Sequence, residues 1–288
     1  MFNFLVMPAQ AFLVMPAQAF LVMPAQAFLV MPAKAGIRFL LATALAIAPA
    51  LAFAQDAHEI VTAADAVRNP HEPFRSTLTL TEYVGGRERS HSSFVLFSKE
   101  DATRHFRNLL EYAEPPQDAG KRVLLDGRSF WFFDPASQTS VRISAQQRLV
   151  GQAAIGDVLT VNLAADYSST VAGEETIDDA ARQKRACWHL EMKAASDTAV
   201  YNRIEYWVEK GTSRPVKGKF YSDSGRLLKI IYYRNYVERL GGVRPAEAVI
   251  LDAVDSSLAT IATFGEARFQ DVPDAWFQRD YLPRLRVK

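Results

Sequence analysis

Short alternations of apolar and polar residues, separated by turn residues, run through most of this chain and constrain its fold more than any other feature. Residues 113–163 show the pattern clearly: two prolines end the preceding segment, and a Val- and Leu-rich run then leads to Asp126-Gly127. An Asp-Gly pair suits the positive-φ positions of a tight hairpin turn. The aromatic run Phe130–Phe133 follows, and after Asp134-Pro135 a third short run continues the alternation. The sequence predicts successive antiparallel strands joined by short turns.

About a dozen strands of this kind are predicted, and because each twists against the next, so wide a sheet must curl. The apolar side of each strand is then expected on the concave face, which needs a cover. A predicted helix at residues 58–68 and the segment 145–163 are the available covers. That segment begins with good helix formers and is interrupted by Gly151 and Gly156. The predicted fold is mainly β with a few helices: a large curved antiparallel sheet, or half-barrel, with a helical lid and an incompletely filled interior.

The candidate ligand-binding residues are those expected on the concave face of the sheet, because they belong to the apolar side of a strand, and those of the predicted lid. Core packing of a large sheet explains most aromatic and aliphatic residues equally well, so the pattern alone does not distinguish a cavity wall from a core. The candidates are Leu78, Leu80, Phe130, Phe132, Leu149, Ile155, Leu159, Trp188, Leu190, Met192, Ile204 and Tyr206.

Motifs of catalysis, cofactor binding and metal binding are not found in the sequence. The histidines are scattered, without an i,i+4 pair, so neither a metal site nor a catalytic residue nor a cofactor is predicted. Glu174-Glu175 and Asp178-Asp179 are interpreted as solvated acids in a loop after a strand. Cys187 is the single cysteine; a buried strand position is favoured over a reactive thiol, because no activating base pattern accompanies it.

The beginning of the chain carries an octapeptide that recurs from Phe4 to the region of Lys34. A repeat this short, with a proline in every copy, is not a solenoid, and residues 1–30 are interpreted as lying upstream of the true start at Met31. Residues 31–54 resemble a signal peptide, with an apolar run of about 13 residues before a small-x-small cleavage site, short of the ~20 that a spanning helix needs. Residues 55–288 are then one exported domain, expected in the periplasm and monomeric.

Charge excludes one class of partner. The formal net charge is +1 and the charged residues alternate in sign, so no basic face for nucleic acid is predicted. A hydrophobic content of 49% is enough for a substantial core.

The order of turns and strands in residues 113–163 also carries a family resemblance. The double proline, the Asp-Gly turn, the aromatic strand, the Asp134-Pro135 turn and the Gly-interrupted segment resemble the periplasmic outer-membrane lipoprotein-sorting proteins, relatives of the carrier LolA. The ending from Phe269 to Leu282 is similar to theirs as well. The resemblance implies a half-barrel with a lid that shields the acyl chains of lipoproteins or other lipids, and leaves open an inner-membrane exporter of the RND or ABC type as a partner.

Acyl chains are bound through apolar area, so such a site leaves no sequence motif. A periplasmic carrier of lipoprotein or lipid acyl chains is the main hypothesis. A lipid-acting enzyme of the esterase type and a structural envelope module with a solid core are the alternatives.

Overall fold

A computed structural model describes residues 57–127, 129–196 and 199–286. The octapeptide repeat and the predicted signal peptide lie outside these residues. The described chain opens with helix α1 at residues 57–68, as the sequence predicts.

Antiparallel strands form one sheet of 13 members, in the order β6-β5-β4-β3-β2-β1-β15-β14-β13-β12-β11-β10-β9. The first half of the chain thus builds outward from β1 and the second half outward from β15, and these two strands pair at the centre. The sheet is curved and does not close into a barrel, which confirms the predicted half-barrel. The strands are β1 Phe74–Val84, β2 Arg87–Glu100, β3 Phe106–Glu114, β4 Arg122–Leu125, β5 Phe130–Asp134, β6 Thr139–Ile143, β7 Arg148–Val150, β8 Ala153–Ala154, β9 Tyr167–Asp178, β10 Lys184–Ala194, β11 Arg203–Glu209, β12 Pro215–Tyr221, β13 Leu227–Arg239, β14 Gly242–Asp252 and β15 Leu258–Phe269.

Alternate residues of these strands face two separate apolar clusters, because side chains of a strand point to opposite faces in turn. On the aromatic strand β5, Phe130 and Phe132 join the large cluster under α1, whereas Trp131 and Phe133 join a smaller cluster on the other side. We call the face of the large cluster the inner face and the opposite one the outer face.

The C-terminal tail covers part of the outer face. Two 3-10 helices, Asp274–Phe277 and Arg279–Arg284, pack their apolar residues on β2 to β5. Arg122 fixes them there: its guanidinium donates to the carbonyl oxygens of Leu282 and Leu285 at 2.6 and 3.3 Å. The ending whose sequence resembles the carrier family is therefore a structural element of the outer face.

The cover of the inner face is more varied than predicted. Residues 145–150 are a turn and strand instead of helix: β7 pairs with β8 as a small hairpin. Gly151 has a φ of +53°, which turns the chain back before a helix could form. Helices α2, Ile155–Val158, and α3, Leu163–Asp166, complete the cover. We call residues 145–166 the lid.

β4 and β5 pair as a hairpin on either side of Asp126-Gly127, as predicted. The Asp126 side chain accepts hydrogen bonds from the Ser129 amide and, at 3.1 Å, from the Trp131 indole. One further local prediction needs correction. Glu174, Glu175 and Asp178 belong to β9 and not to a loop; Glu175 is engaged by the indole of Trp207 at 3.0 Å. Within the described ranges, no helix is long and apolar enough to cross a membrane.

Candidate ligand-binding site

The candidate residues converge on the inner face. Strand candidates from β1, β5, β10 and β11 and lid candidates from β7, α2 and its C-terminal flank belong to or pack against a single hydrophobic cluster. Three of them, Phe132, Leu149 and Trp188, are only partly buried at its periphery. The residues that the sequence assigned to the inner face thus lie on that face of the folded sheet, and ligand binding by them stays a prediction.

Apolar side chains of the lid and of α1 close over the sheet. Ile155, Val158 and Leu159 are at most 5% exposed. Gly156 allows this close approach, because a Cβ at that position would lie 2.5 Å from a methyl carbon of Val200. Gly156 is therefore needed for the close contact between the lid and Val200.

The two cavities beneath the apolar residues of the lid are small. A cavity of ≈ 70 Å³ lies between the end of α1, the lid and β13 to β15. A second cavity, between the lid, Tyr201 and β11 to β13, measures ≈ 20 Å³. Pockets for drug-sized ligands are roughly 300–1,000 Å³. In this closed arrangement the lid supplies the apolar side chains that fill the space beneath it, and an interior that opens for a ligand stays a prediction.

A buried ion pair joins the lid to the sheet. The Lys229 ammonium on β13 donates to the Asp157 carboxylate of α2 at 2.6 Å, and the side chains are 10% and 0% exposed. Asp157 also accepts from the Ala154 amide at 2.7 Å and the Tyr201 hydroxyl at 2.5 Å. Burial, and then the nearby Asp157 charge, raise the pKa of Tyr201 well above its ordinary value, so it remains a donor. We call Asp157, Tyr201 and Lys229 the clasp.

Two more polar residues of the inner face hold the lid through its backbone. Asn108 on β3 donates to the Thr160 carbonyl at 2.9 Å, and Thr260 on β15 accepts from the Gln152 amide at 2.8 Å. Asn108 and Thr260 are both fully buried. These bonds and the clasp join the lid to the sheet, and further hydrogen bonds join it to the end of α1 and the residues that flank it. All of these hydrogen bonds would exchange with water if the lid opened.

These attachment residues were not predicted from the sequence. Asn108 has the strand parity of Leu110, Lys229 that of Ile231, and Thr260 that of Ala262. A polar residue at an inward position must be hydrogen-bonded when buried. The signal that could have identified them is a single polar residue at a strand position that the alternation assigns to the apolar face.

Residue types that bind metal ions are dispersed over the part of the chain that the structure describes. No group of three or more histidine, cysteine or acidic residues in the described part of the chain is placed to hold a metal ion. Cys187 is buried in a small outer-face cluster with Trp207 and Val216. Its burial, and then the charge of Glu209, raise the pKa of the thiol to about 11, which fits the strand position favoured from the sequence.

Comparison with known proteins gives the family. A family model described only as an uncharacterized protein matches residues 105–284. The crystal structure of a LolA superfamily protein from Nitrosomonas europaea is 30% identical, with a TM-score of 0.69, and the match covers 78% of this chain and 98% of that one. This protein belongs to the LolA superfamily.

Two more solved structures share the fold. A protein of the DUF1329 family from Desulfovibrio piger is 19% identical with a TM-score of 0.68, over 80% of this chain and 99% of its own. A domain from Vibrio parahaemolyticus assigned to the outer membrane lipoprotein-sorting proteins is 20% identical with a TM-score of 0.68, over 80% of this chain and all of its own. No curated protein matches the sequence.

Proposed function

We propose that this protein is a periplasmic carrier that shields the acyl chains of lipoproteins or lipids on their way to the outer membrane, and not an enzyme. The observation that carries the proposal is the construction of the inner face: an apolar sheet surface covered by a separate lid that hydrogen bonds and a buried ion pair hold in place. Membership of the LolA superfamily and the predicted signal peptide support it. In this proposal, residues 55–288 are the carrier domain.

The closed lid is compatible with carriage because cargo can replace the contacts that the lid loses. Burying an acyl chain stabilises by about 0.8 kcal/mol per methylene, or on the order of 12 kcal/mol for a sixteen-carbon chain. Opening the lid exposes the apolar surface of Ile155, Val158 and Leu159 together with the inner face. An acyl chain that enters covers both surfaces again. The net cost of loading is then mainly the hydrogen bonds of the lid attachments, which contribute roughly 0.5–1.5 kcal/mol each.

The structural envelope module is the second candidate, and the small volume of the cavities favours it. Lipids extracted from protein purified from the periplasm, and identified by mass spectrometry, distinguish the two. We expect acyl cargo in stoichiometric amount. Lyso-lipid products would indicate the esterase alternative, and a complete absence of lipid, with no uptake of added fatty acid, would favour the structural module.

The same preparation tests export. The mature amino terminus should lie at or near Gln55, and removal of residues 1–30 should leave export intact. An exported protein that still carries the octapeptide repeat would contradict this processing.

A further inference from the structure

An unusual concentration of positive charge borders the larger cavity under the lid. Arg68 at the end of α1, Arg239 at the end of β13 and Arg244 on β14 all line it. Arg68 is neutralised by Asp65 at 2.9 Å. Neither Arg239 nor Arg244 forms an ion pair with a carboxylate of the described residues. The carboxylate that does line the cavity, Asp157, is already paired with Lys229.

Backbone carbonyl groups satisfy much of the hydrogen-bonding capacity of the two unpaired arginines, but not their charge. Arg239 donates to the carbonyl oxygens of Phe264 and Pro245 at 2.9 and 2.5 Å. Arg244 donates to those of Ala66 and Leu240 at 2.9 and 3.1 Å. The Arg239 Nε and the Arg68 Nε, both buried, have no partner among the described residues. Both of these unpaired donors belong to arginines that line the cavity.

The two guanidinium groups destabilise each other where they lie. Burial, and then the charge of Arg244, lower the pKa of Arg239. Burial also lowers the pKa of Arg244, an effect that Glu238 partly opposes. Burying two positive charges without a counter-charge is costly. Arg244 has one structural reason to be there, since it meets the carbonyl end of α1, where a cation is favourable. Arg239 has no such helix end.

Much of the remaining cavity wall is apolar and continues into the lid, although Asn69, Ser76 and Thr160 also line it. Phe74, Leu96 and Phe264 line it from the sheet, and Val158 and Leu159 from the lid. A volume of ≈ 70 Å³ is small for a whole lipid but holds several water molecules, or a group of similar size. A polar, positively charged end thus adjoins the apolar face that the lid covers.

We propose that the cavity at Arg239 and Arg244 binds the anionic headgroup of the cargo, a phosphate or carboxylate, while the acyl chain lies beneath the lid. This inference rests on the proposed function and narrows its cargo to anionic amphiphiles. Arginine suits the task because its planar donors match the oxygens of both groups. The guanidinium groups of Arg239 and Arg244, which line the cavity without an ion-pair partner among the described residues, are the groups that such an oxygen would engage.

Calorimetric titration with two lipids of equal chain length tests the inference. Oleoyl lysophosphatidic acid has an anionic headgroup, and monooleoylglycerol has a neutral one. We expect the full-length mature protein to bind the anionic lipid at least tenfold more tightly, the typical effect of a hydrogen bond to a charged group. Arg239→Gln should remove most of this preference and leave the affinity for monooleoylglycerol unchanged, which also shows that the variant is folded. Arg239→Lys should restore part of it.

The matched control is Arg234→Gln, which removes the same charge from the same strand but at a residue paired with Glu247 at 2.6 Å. Equal affinities of the wild type for the two lipids, or equal effects of Arg239→Gln and Arg234→Gln, would overturn the headgroup site while the carrier function stands. Binding of neither lipid would refute the carrier function itself. Inorganic phosphate as a third titrant distinguishes a lipid headgroup from a free anion. If phosphate binds as tightly as lysophosphatidic acid, the cavity binds free anions, and the inference of an amphiphilic ligand is wrong.

Discussion

The clasp gives the sharpest prediction, because it joins the lid to the sheet through a buried charge. Lys229→Met removes the ammonium and leaves the Asp157 carboxylate, whose side chain is 0% exposed, with only its two uncharged donors. Removing one partner of a buried ion pair costs roughly 3–5 kcal/mol. The least costly response is for the lid to open, so that water hydrates Asp157 while the sheet stays folded.

Hydrogen exchange measures this opening directly. A loss of about 3 kcal/mol in local stability corresponds to an increase of roughly 100-fold in the exchange of amides that open with the lid. We expect that increase at residues 146–163 and much less in β10 and β11. Addition of lipid to the wild type should protect the same residues.

Two variants control for the loss of charge. Lys219→Met removes an ammonium that is paired with Glu205 at 3.2 Å but is 30% exposed, and such pairs contribute about 1 kcal/mol or less. The double variant Lys229→Met with Asp157→Leu removes both buried charges and should restore most of the protection. If Lys229→Met exchanges like Lys219→Met, or if the whole sheet exchanges together with residues 146–163, the lid is part of the core and the reasoning fails.

Further predictions concern packing and reactivity. Leu190→Ala should destabilise the lipid-free protein by roughly 2–5 kcal/mol in urea unfolding, because Leu190 is fully buried. Phe132→Ala should destabilise it less, because Phe132 is partly exposed. Equal losses of stability in the two variants would contradict this packing. Gly156→Ala should speed hydrogen exchange of the lid, since the added Cβ meets Val200 at 2.5 Å; unchanged exchange would show that the contact can relax. Cys187, whose pKa is raised to about 11, should react with a thiol reagent at pH 8 only after unfolding, and rapid reaction of the native protein would place it at the surface.

The alternation of apolar and polar residues along the strands made the fold and the apolar part of the site predictable. Leu190 could be assigned to the inner face because a strand alternates strictly and its neighbours at even spacing are apolar. The same rule assigns Ile204 on the next strand. Since local pattern decides which side of a sheet a residue faces, the candidate cavity residues come together as expected.

The lid and its attachments were less predictable because they depend on contacts distant in sequence. Residues 145–150 contain helix formers, yet Gly151 and the pairing of β7 with β8 override that propensity. Asn108 bonds to Thr160 across 52 positions of the chain, and nothing in either local segment indicates the other. For the same reason the sequence gives no sign that Arg239 and Arg244 share a cavity with the lid.

Photochemical labelling tests the central claim, that an acyl chain lies between the inner face and the lid. A fatty acid with a diazirine in its chain is bound to the mature protein, and the complex is irradiated. Peptide mass spectrometry then locates the labelled residues. The account predicts labels on Leu190, Met192 and Ile204 and on lid residues 155–163, reduced by competition with unlabelled fatty acid. Labels concentrated on the outer face, at Trp131 or Trp276, or labels that competition does not reduce, would contradict it.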